Sequence, residues 1–430
     1  MALLRSLLAA GCLATLSFAV PLLDSGLLDI GRVINNLQPV DMDGLELGSI
    51  TGDKVRGVNL GGWLVLEPWI TPSLFDDTGN PDIIDEYTFG KLQDHDVALA
   101  ALQQHWETWI TEQDFIDIAN AGLNTVRLPI GYWAFDVSAG EPYIQGQLPY
   151  LRKALDWANT HNLQVIIDLH GAPGSQNGFD NSGQRMDLPT WHTNQDNIDR
   201  TKAVMERIAN EFDAAIYAPL NEPAGFRDGV LPVVQQYWKD SYGIVRASSH
   251  PEARVLIHDA FQELDSWKGF MTPPEFQNVA MDKHIYQIFS DAENQRSEEE
   301  HIQFACKYKE QLSSFDLVIY VGEWTPAKTD CAKYLNGRGI GARYDGTYPG
   351  SSFIGSCDGL TGSASTFSED YKTFLRKFWE AQAITYEQGD GWLQWTWKAE
   401  NADEWSYQAG LANGWIPQNP TDRKYPDICS

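Results

Sequence analysis

The chain has 430 residues, 43% hydrophobic and 21% charged, a balance that suits a folded chain long enough to bury a core and excludes a disordered one. Its 59 acidic against 31 basic residues give a net charge of −28. So much negative charge repels phosphate backbones and anionic lipid, which argues against nucleic acid or a membrane as partner.

Arg5 precedes an apolar stretch from Leu7 to Val20, and Ser17 and Ala19 are the small residues of a cleavage site after Ala19. Residues 1–19 therefore read as an export signal, which implies a secreted protein, extracellular or in the cell wall. No later stretch approaches the ~18 consecutive apolar residues of a membrane span. Loss of the signal removes Cys12 and leaves Cys306, Cys331, Cys357 and Cys429, an even number that predicts two disulfides with three possible pairings. Residues 20–54 are a polar lead-in without clear period, either a propeptide or an arm.

From residue 55 short β-branched runs alternate with longer segments of helical period. The runs are 55–62, 124–130, 164–170, 214–221, 254–260, 279–286, 316–323 and 391–397. They are continuously apolar rather than alternating, the pattern of parallel strands buried on both faces. Helices are predicted over 104–120, 148–161, 196–212, 232–249, 297–313 and 367–388. In 148–161 Leu151, Leu155 and Ala158 fall on one stripe, with Arg152, Lys153 and Asp156 elsewhere. Eight strands separated by helices predict an α/β fold, a (β/α)8 barrel over 55–430, as a single domain with long top-face loops. A doubly wound sheet is the competing architecture, and Asn59-Leu60-Gly61-Gly62-Trp63 lacks the glycine spacing of its phosphate turn. The Gly-rich stretch 337–362, between the last two runs, is a top-face loop.

Barrel sites form where the strands end. Here the ends are polar or aromatic: Arg127 in the second run, Asp168-Leu169-His170 in the third, Asn221-Glu222-Pro223 in the fourth, His284-Ile285-Tyr286 in the sixth, Glu323-Trp324 in the seventh, Trp395 and Trp397 in the eighth. Glu67 lies in the loop after the first. Glu222 and Glu323 end strands on opposite sides of the mouth. A facing carboxylate pair is the equipment for breaking a glycosidic bond, one member protonating the leaving group and the other attacking the sugar or activating water. Asn221 is suited to donate to a sugar 2-hydroxyl. Arg127 and Tyr286 are expected to reach Glu323, with Arg127 lowering its pKa, while the charge of Glu323 favours a protonated Glu222. His170 and His284 lack the spacing of a zinc motif, so no metal or other cofactor is expected. No G-x-S-x-G elbow for a serine nucleophile is present.

These motifs resemble a known family. VRGVNLGGWLVLEPWITPSLF (55–75), VRLPIGYWAF (126–135), DLHGAPGSQNGFDNSG (168–183), LNEP (220–223), HIYQIF (284–289), VGEWT (321–325) and WTWKAENADEWSYQ (395–408) are together similar to the fungal exo-β-1,3-glucanases of glycoside hydrolase family 5. The resemblance runs from about residue 50 to the C-terminus. It implies a retaining double displacement with Glu222 as acid/base and Glu323 as nucleophile. It also implies that Arg127, His170, Asn221, His284, Tyr286 and Trp395 line the subsite of the terminal glucose. Glu67 and Asp180 would bind glucose hydroxyls, and Phe179 and Phe289 would clamp the next sugar. The same resemblance pairs Cys306 with Cys429 and Cys331 with Cys357. One departure is Ile285, where the family commonly has a second histidine. The implied protein is a monomer that releases glucose from non-reducing ends of β-1,3-glucan, with transglycosylation as a possible side reaction. Related enzymes acting on β-1,6-glucan or steryl glucosides, and a non-catalytic glucan binder, are the alternatives.

Overall fold

Strands buried on both faces need cover on both, and the sheet meets that need by closing on itself inside a ring of helices. The computed structural model describes residues 54–430; the export signal (1–19) and all of the lead-in (20–54) except Lys54 lie outside the described residues. The strands are β1 (Val55–Asn59), β2 (Thr125–Gly131), β3 (Gln164–Gly171), β4 (Ile216–Ala218), β5 (Arg254–His258), β6 (Val279–Ile285), β7 (Val318–Trp324) and β8 (Gly391–Gln394). Each pairs in parallel with the next, and β1 closes the barrel against β8 from Val55↔Gly391 to Val58↔Gln394.

Val55, Ile166, Ile216, Leu256, Tyr320 and Leu393 form an apolar plug, and none of them is the last residue of its strand. It fills one end of the barrel and leaves the C-terminal end to polar side chains. The outer core lies between the strands and the helices, and includes Leu151, Ala154 and Ala158 of the helix Leu148–Thr160.

Three elements differ from the sequence-based expectation. Helix 104–120 is two helices, His95–Thr108 and Glu112–Asn120. Thr111 starts the second, its backbone N–H donating to Asp114 Oδ2 at 2.8 Å in a capping box. Segment 297–313 likewise divides into Glu298–Cys306 and Lys309–Ser313. The run 214–221 keeps only three ladder residues, because Pro219 has no N–H to continue it. No described helix is long and apolar enough to cross a membrane.

The loop between β7 and the helix Glu369–Tyr386 is anchored to three other top loops. Lys333, Tyr334 and Arg338 all bond to Asp76, Arg185 donates to the carbonyl of Arg338, and Ser351 donates to Asp291. Inside it, buried Asp330 accepts from Arg343, Asn336 and two backbone N–H groups. The disulfides join Cys331 to Cys357 within this loop, and Cys306 to Cys429 at the C-terminus.

The two disulfides close chains of different length, with sequence separations of 123 for Cys306–Cys429 and 26 for Cys331–Cys357. Loop-closure entropy alone gives roughly 5 kcal/mol for the long loop and roughly 3.5 kcal/mol for the short one. Replacing Cys306 and Cys429 by serine should therefore lower the urea midpoint more than replacing Cys331 and Cys357. The reverse order would mean that native contacts of the β7 loop outweigh chain entropy.

Candidate active site

The polar end of the barrel is organised around Arg127. This side chain is buried in the middle of β2, where an unpaired charge would be prohibitive. Its Nη1 donates to Glu323 Oε1 at 2.8 Å and to Asn59 Oδ1 at 3.0 Å. Its Nη2 donates to Asn221 Oδ1 at 2.7 Å and lies 3.2 Å from Asp168 Oδ2. Burial works against the charge, but Asp168 and Glu323 outweigh it and hold the guanidinium firmly protonated.

Glu323 reaches the mouth as the penultimate residue of β7, opposite His284 in the register, just after the irregularity at Lys283/His284. Its Oε2 accepts from the Tyr286 hydroxyl at 2.8 Å. Both contacts expected from the sequence, with Arg127 and with Tyr286, are therefore made. The expected low pKa is not. Burial pushes the Glu323 carboxyl above its ordinary range; His284 and Arg127 pull it down, and Glu222 adds to the rise. Desolvation outweighs the ion pair.

Glu222 arrives differently. Pro219 ends β4, but the Asn221 N–H donates to Leu169 O at 2.9 Å and holds the chain against β3. Glu222 then takes φ +45°, a left-handed conformation costly for a residue with a Cβ. The turn re-aims it at His284, whose Nδ1 lies 2.7 Å from Glu222 Oε1. That same nitrogen lies 3.5 Å from Glu323 Oε2. The two carboxylate oxygens can thus be no further apart than these two lengths laid end to end. Burial opposes a charge on His284, but Glu323, Asp282 and Glu222 raise its pKa well above the ordinary histidine value. Asp282 fits beside it only because residue 322 is glycine: a Cβ there would lie 2.0 Å from Asp282 Oδ1.

The Asn221 amide is oriented by Arg127, which takes its oxygen and leaves Nδ2 facing His170 Nε2 at 3.4 Å. His170 Nδ1 lies 2.6 Å from Asp168 Oδ2, and its ring stacks on Trp395 with centroids 5.6 Å apart. Direct contacts therefore connect Glu222, Glu323, Arg127, His170, Asn221, His284, Tyr286 and Trp395. Glu67 stands one layer away. Its Oε2 accepts from Trp69 Nε1 at 2.9 Å, Trp69 packs on Trp405, and Trp405 on Tyr286. Glu67 Oε1 and Asp180 Oδ2 are buried without partners. Burial lifts both carboxyls, Asp180 to about 7 with Asp85 adding, and Glu67 with Asp180 adding. Phe179 and Phe289 are both exposed at the mouth but on separate walls, Phe179 edge-on to Phe261 and Phe289 edge-on to Tyr286.

Sequence reasoning passed over Asn59, Asp168, His258 and Asp282. Asp168 carried a signal: two residues before His170 on a strand, it shares that face. His258, at the end of β5, packs edge-on against His284 at 4.4 Å. Among the described residues Glu222, His258 and His284 bring ligand atoms within 4.8 Å of one another. They do not suit a cation. The Ala260 N–H donates to His258 Nδ1 at 2.9 Å, so Nε2 carries the proton, and His284 is held charged. The two histidines present protons where an ion needs lone pairs.

Comparison with known proteins agrees with this geometry. The profile of cellulase (glycosyl hydrolase family 5) matches residues 91–338, a span that holds both glutamates. The chain belongs to glycosyl hydrolase family 5. It is a glycoside hydrolase. "Probable glucan 1,3-beta-glucosidase A" of Emericella nidulans is 47% identical, over 88% of this chain and 93% of the relative. The glucan 1,3-beta-glucosidase of Blumeria graminis is 48% identical, over 87% and 89%. Among solved structures, the rutinosidase of Aspergillus niger superposes with a TM-score of 0.66 at 20% identity, over 85% of this chain and 98% of that one, a likeness of fold.

The Tyr286 hydrogen bond favours ionised Glu323, so its loss should raise that pKa. If activity requires ionised Glu323, Tyr286→Phe should move the acid limb of the kcat/KM profile upward, by less than about one pH unit for a single neutral donor. An unchanged or lowered acid limb would show that Glu323 does not set it.

Proposed function

We propose that this family 5 member is a secreted, exo-acting glucan 1,3-β-glucosidase that hydrolyses with retention of configuration. The observation that carries the mechanism is the span through His284 Nδ1. Both carboxylates reach the same nitrogen, at 2.7 Å and 3.5 Å, a closeness that favours the roughly 5–5.5 Å separation of retaining enzymes over the wider gap of inverting ones. That spacing supports attack by a carboxylate rather than by water.

The hydrogen bonds favour one assignment of roles. Glu323 has each oxygen held by a donor, Arg127 on one side and Tyr286 on the other, as a nucleophile that must keep its aim. Glu222 Oε2 takes no hydrogen bond from a described residue, which leaves it free to protonate a leaving group. In the first step a Glu323 oxygen bonds to the anomeric carbon, the glycosidic C–O bond breaks, and Glu222 delivers its proton to the departing oxygen. In the second, Glu222 takes a proton from water, the water oxygen bonds to the anomeric carbon, and Glu323 leaves. A sugar hydroxyl in place of that water gives transglycosylation. Asn221 Nδ2, which Arg127 leaves free of the amide oxygen's bonds, would donate to the 2-hydroxyl, a contact that strengthens as the ring becomes oxocarbenium-like.

Support for the substrate comes from the relatives, both named glucan 1,3-beta-glucosidases and covered over most of their length. The exo reading draws support from the β7 loop, which is bonded to the loops after β1, β3 and β6, as a loop that walls off one end of the site would be. The half-buried Asp180 and the buried Glu67 would receive the hydroxyls of a terminal glucose. Two disulfides support export.

A product time course on laminarin tests this reading. Glucose alone from the start, released as the β-anomer, is expected. Early oligosaccharides would make the enzyme endo-acting, and the α-anomer would refute retention. Glu323→Gln should abolish turnover in a folded protein. Glu222→Ala should keep much more activity on an activated aryl glucoside than on laminarin, since a good leaving group needs no proton. Equal loss on both would remove Glu222 as the acid.

A further inference from the structure

His258 adjoins the acid/base side of the site and has so far been given no part in the reaction. It ends β5, is 2% exposed, and packs edge-on against His284 with centroids 4.4 Å apart. One of its ring nitrogens lies within 4.8 Å of a Glu222 oxygen and of a His284 nitrogen. Its Nδ1 accepts from the Ala260 N–H at 2.9 Å, which puts the proton on Nε2, and Nε2 finds no partner among the described residues. A buried N–H without an acceptor costs free energy that leucine or phenylalanine would avoid, so packing alone does not account for it.

The backbone is strained to keep that tautomer. Ala260 and Phe261 take left-handed conformations, φ +53° and +59°, and this turn carries the Ala260 N–H back onto the ring. Further bonds hold the turn: the Phe261 N–H to Asp259 Oδ1 at 2.9 Å, Lys283 Nζ to Asp259 Oδ2 at 2.5 Å, and Trp267 Nε1 to Asp259 O at 2.9 Å. The surroundings also keep the ring neutral. Burial lowers its pKa well below the ordinary histidine value, and the charges of His284, Lys283 and Arg127 add to the fall. Asp259, with Oδ1 3.6 Å from Nδ1, does not reverse it. His258 is therefore a neutral N–H donor of fixed orientation beside a carboxyl that changes charge in the proposed reaction.

While Glu222 carries its proton, His284 is donor enough. Once that proton has gone to the departing oxygen, the carboxylate holds a full charge in a site shut off from water, and a second donor stabilises it. We infer that His258 is a positioning residue for Glu222: its Nε2–H is the donor that the ionised carboxylate takes up after protonating the leaving group, and that it releases on taking a proton from water. The His258 proton stays on Nε2 throughout, and no covalent bond of the ring is made or broken. The charged and titratable groups His284, Glu323, Tyr286 and Glu67 also bear on Glu222, a background common to every variant below. The inference rests on the reading of Glu222 as acid/base.

The test compares His258→Met with His258→Gln. The two replacements are alike in shape and both lose the ring, but only Gln keeps an N–H. The basic limb of kcat/KM on laminaribiose marks loss of the Glu222 proton from the free enzyme. In His258→Met the donor to the ionised form is gone, so that limb should move upward, by less than about one pH unit. The kcat on an activated aryl glucoside, where the second step is limiting, should fall roughly three- to tenfold, because that step needs ionised Glu222. His258→Gln should bring both readouts back toward the wild type. Met and Gln variants that behave alike, or a basic limb that stays or moves downward in His258→Met, would overturn the inference and leave a structural histidine. Should neither variant fold, the wild type decides. Trapping the glycosyl-enzyme with a 2-deoxy-2-fluoroglucoside should move the His258 Nε2–H proton resonance downfield, and an unmoved resonance would overturn the inference. A Glu222→Ala variant that keeps the basic limb would overturn the acid/base reading itself, and this inference with it.

Discussion

A buried cation is the constraint around which this barrel mouth is built. Arg127 sits where water cannot reach it, so its charge must be met by the protein. The partners come from β1, β3, the end of β4 and β7. Removing one partner from such a cluster typically costs several kcal/mol, because the remaining charge stays buried. The same bonds serve the chemistry: they aim Glu323, turn the Asn221 amide, and bring together the ends of strands that are far apart in sequence.

His284 plays the matching part on the other side. It lies between Glu222, Glu323 and Asp282 and is held charged by them. Two cations thus sit among four carboxylates, Asp168, Asp282, Glu222 and Glu323. In the proposed double displacement a proton moves on and off Glu222 while charge leaves and returns to Glu323. Fixed positive groups beside these carboxyls would limit the electrostatic cost of those changes. The upward shift of Glu323 fits the proposed attack, since desolvation raises the energy of its carboxylate.

Above the strands the loops are tied to one another. The β7 loop carries its own disulfide and its own buried carboxylate, Asp330, and is fastened to three neighbours by side-chain bonds. A long insertion held at so many points behaves as a wall. Together with the strained turns at Glu222 and Ala260–Phe261, it shows where stability is given up or invested to define the site's shape.

The sequence by itself determined the architecture, because eight doubly buried strands leave few solutions and continuous β-branched runs separated by helices display them. It also determined which residue types end those strands, so Glu222, Glu323, Arg127, Asn221 and Tyr286 could be named before their contacts were known. Helix breaks at Thr111 and after Cys306 were readable in principle, since the Thr111–Asp114 spacing is a capping box, but the apolar period runs across both and hides them. Only the tertiary structure decided that Asp168 and Asp282 belong to the site and that the Glu323 pKa rises. It alone decided that His258 Nδ1 accepts from the Ala260 N–H and that Phe226 meets Phe261. The reason is common to all four. Desolvation, tautomer choice and ring contact depend on what surrounds a side chain from other strands, and sequence pattern reports only which face of its own strand a residue occupies.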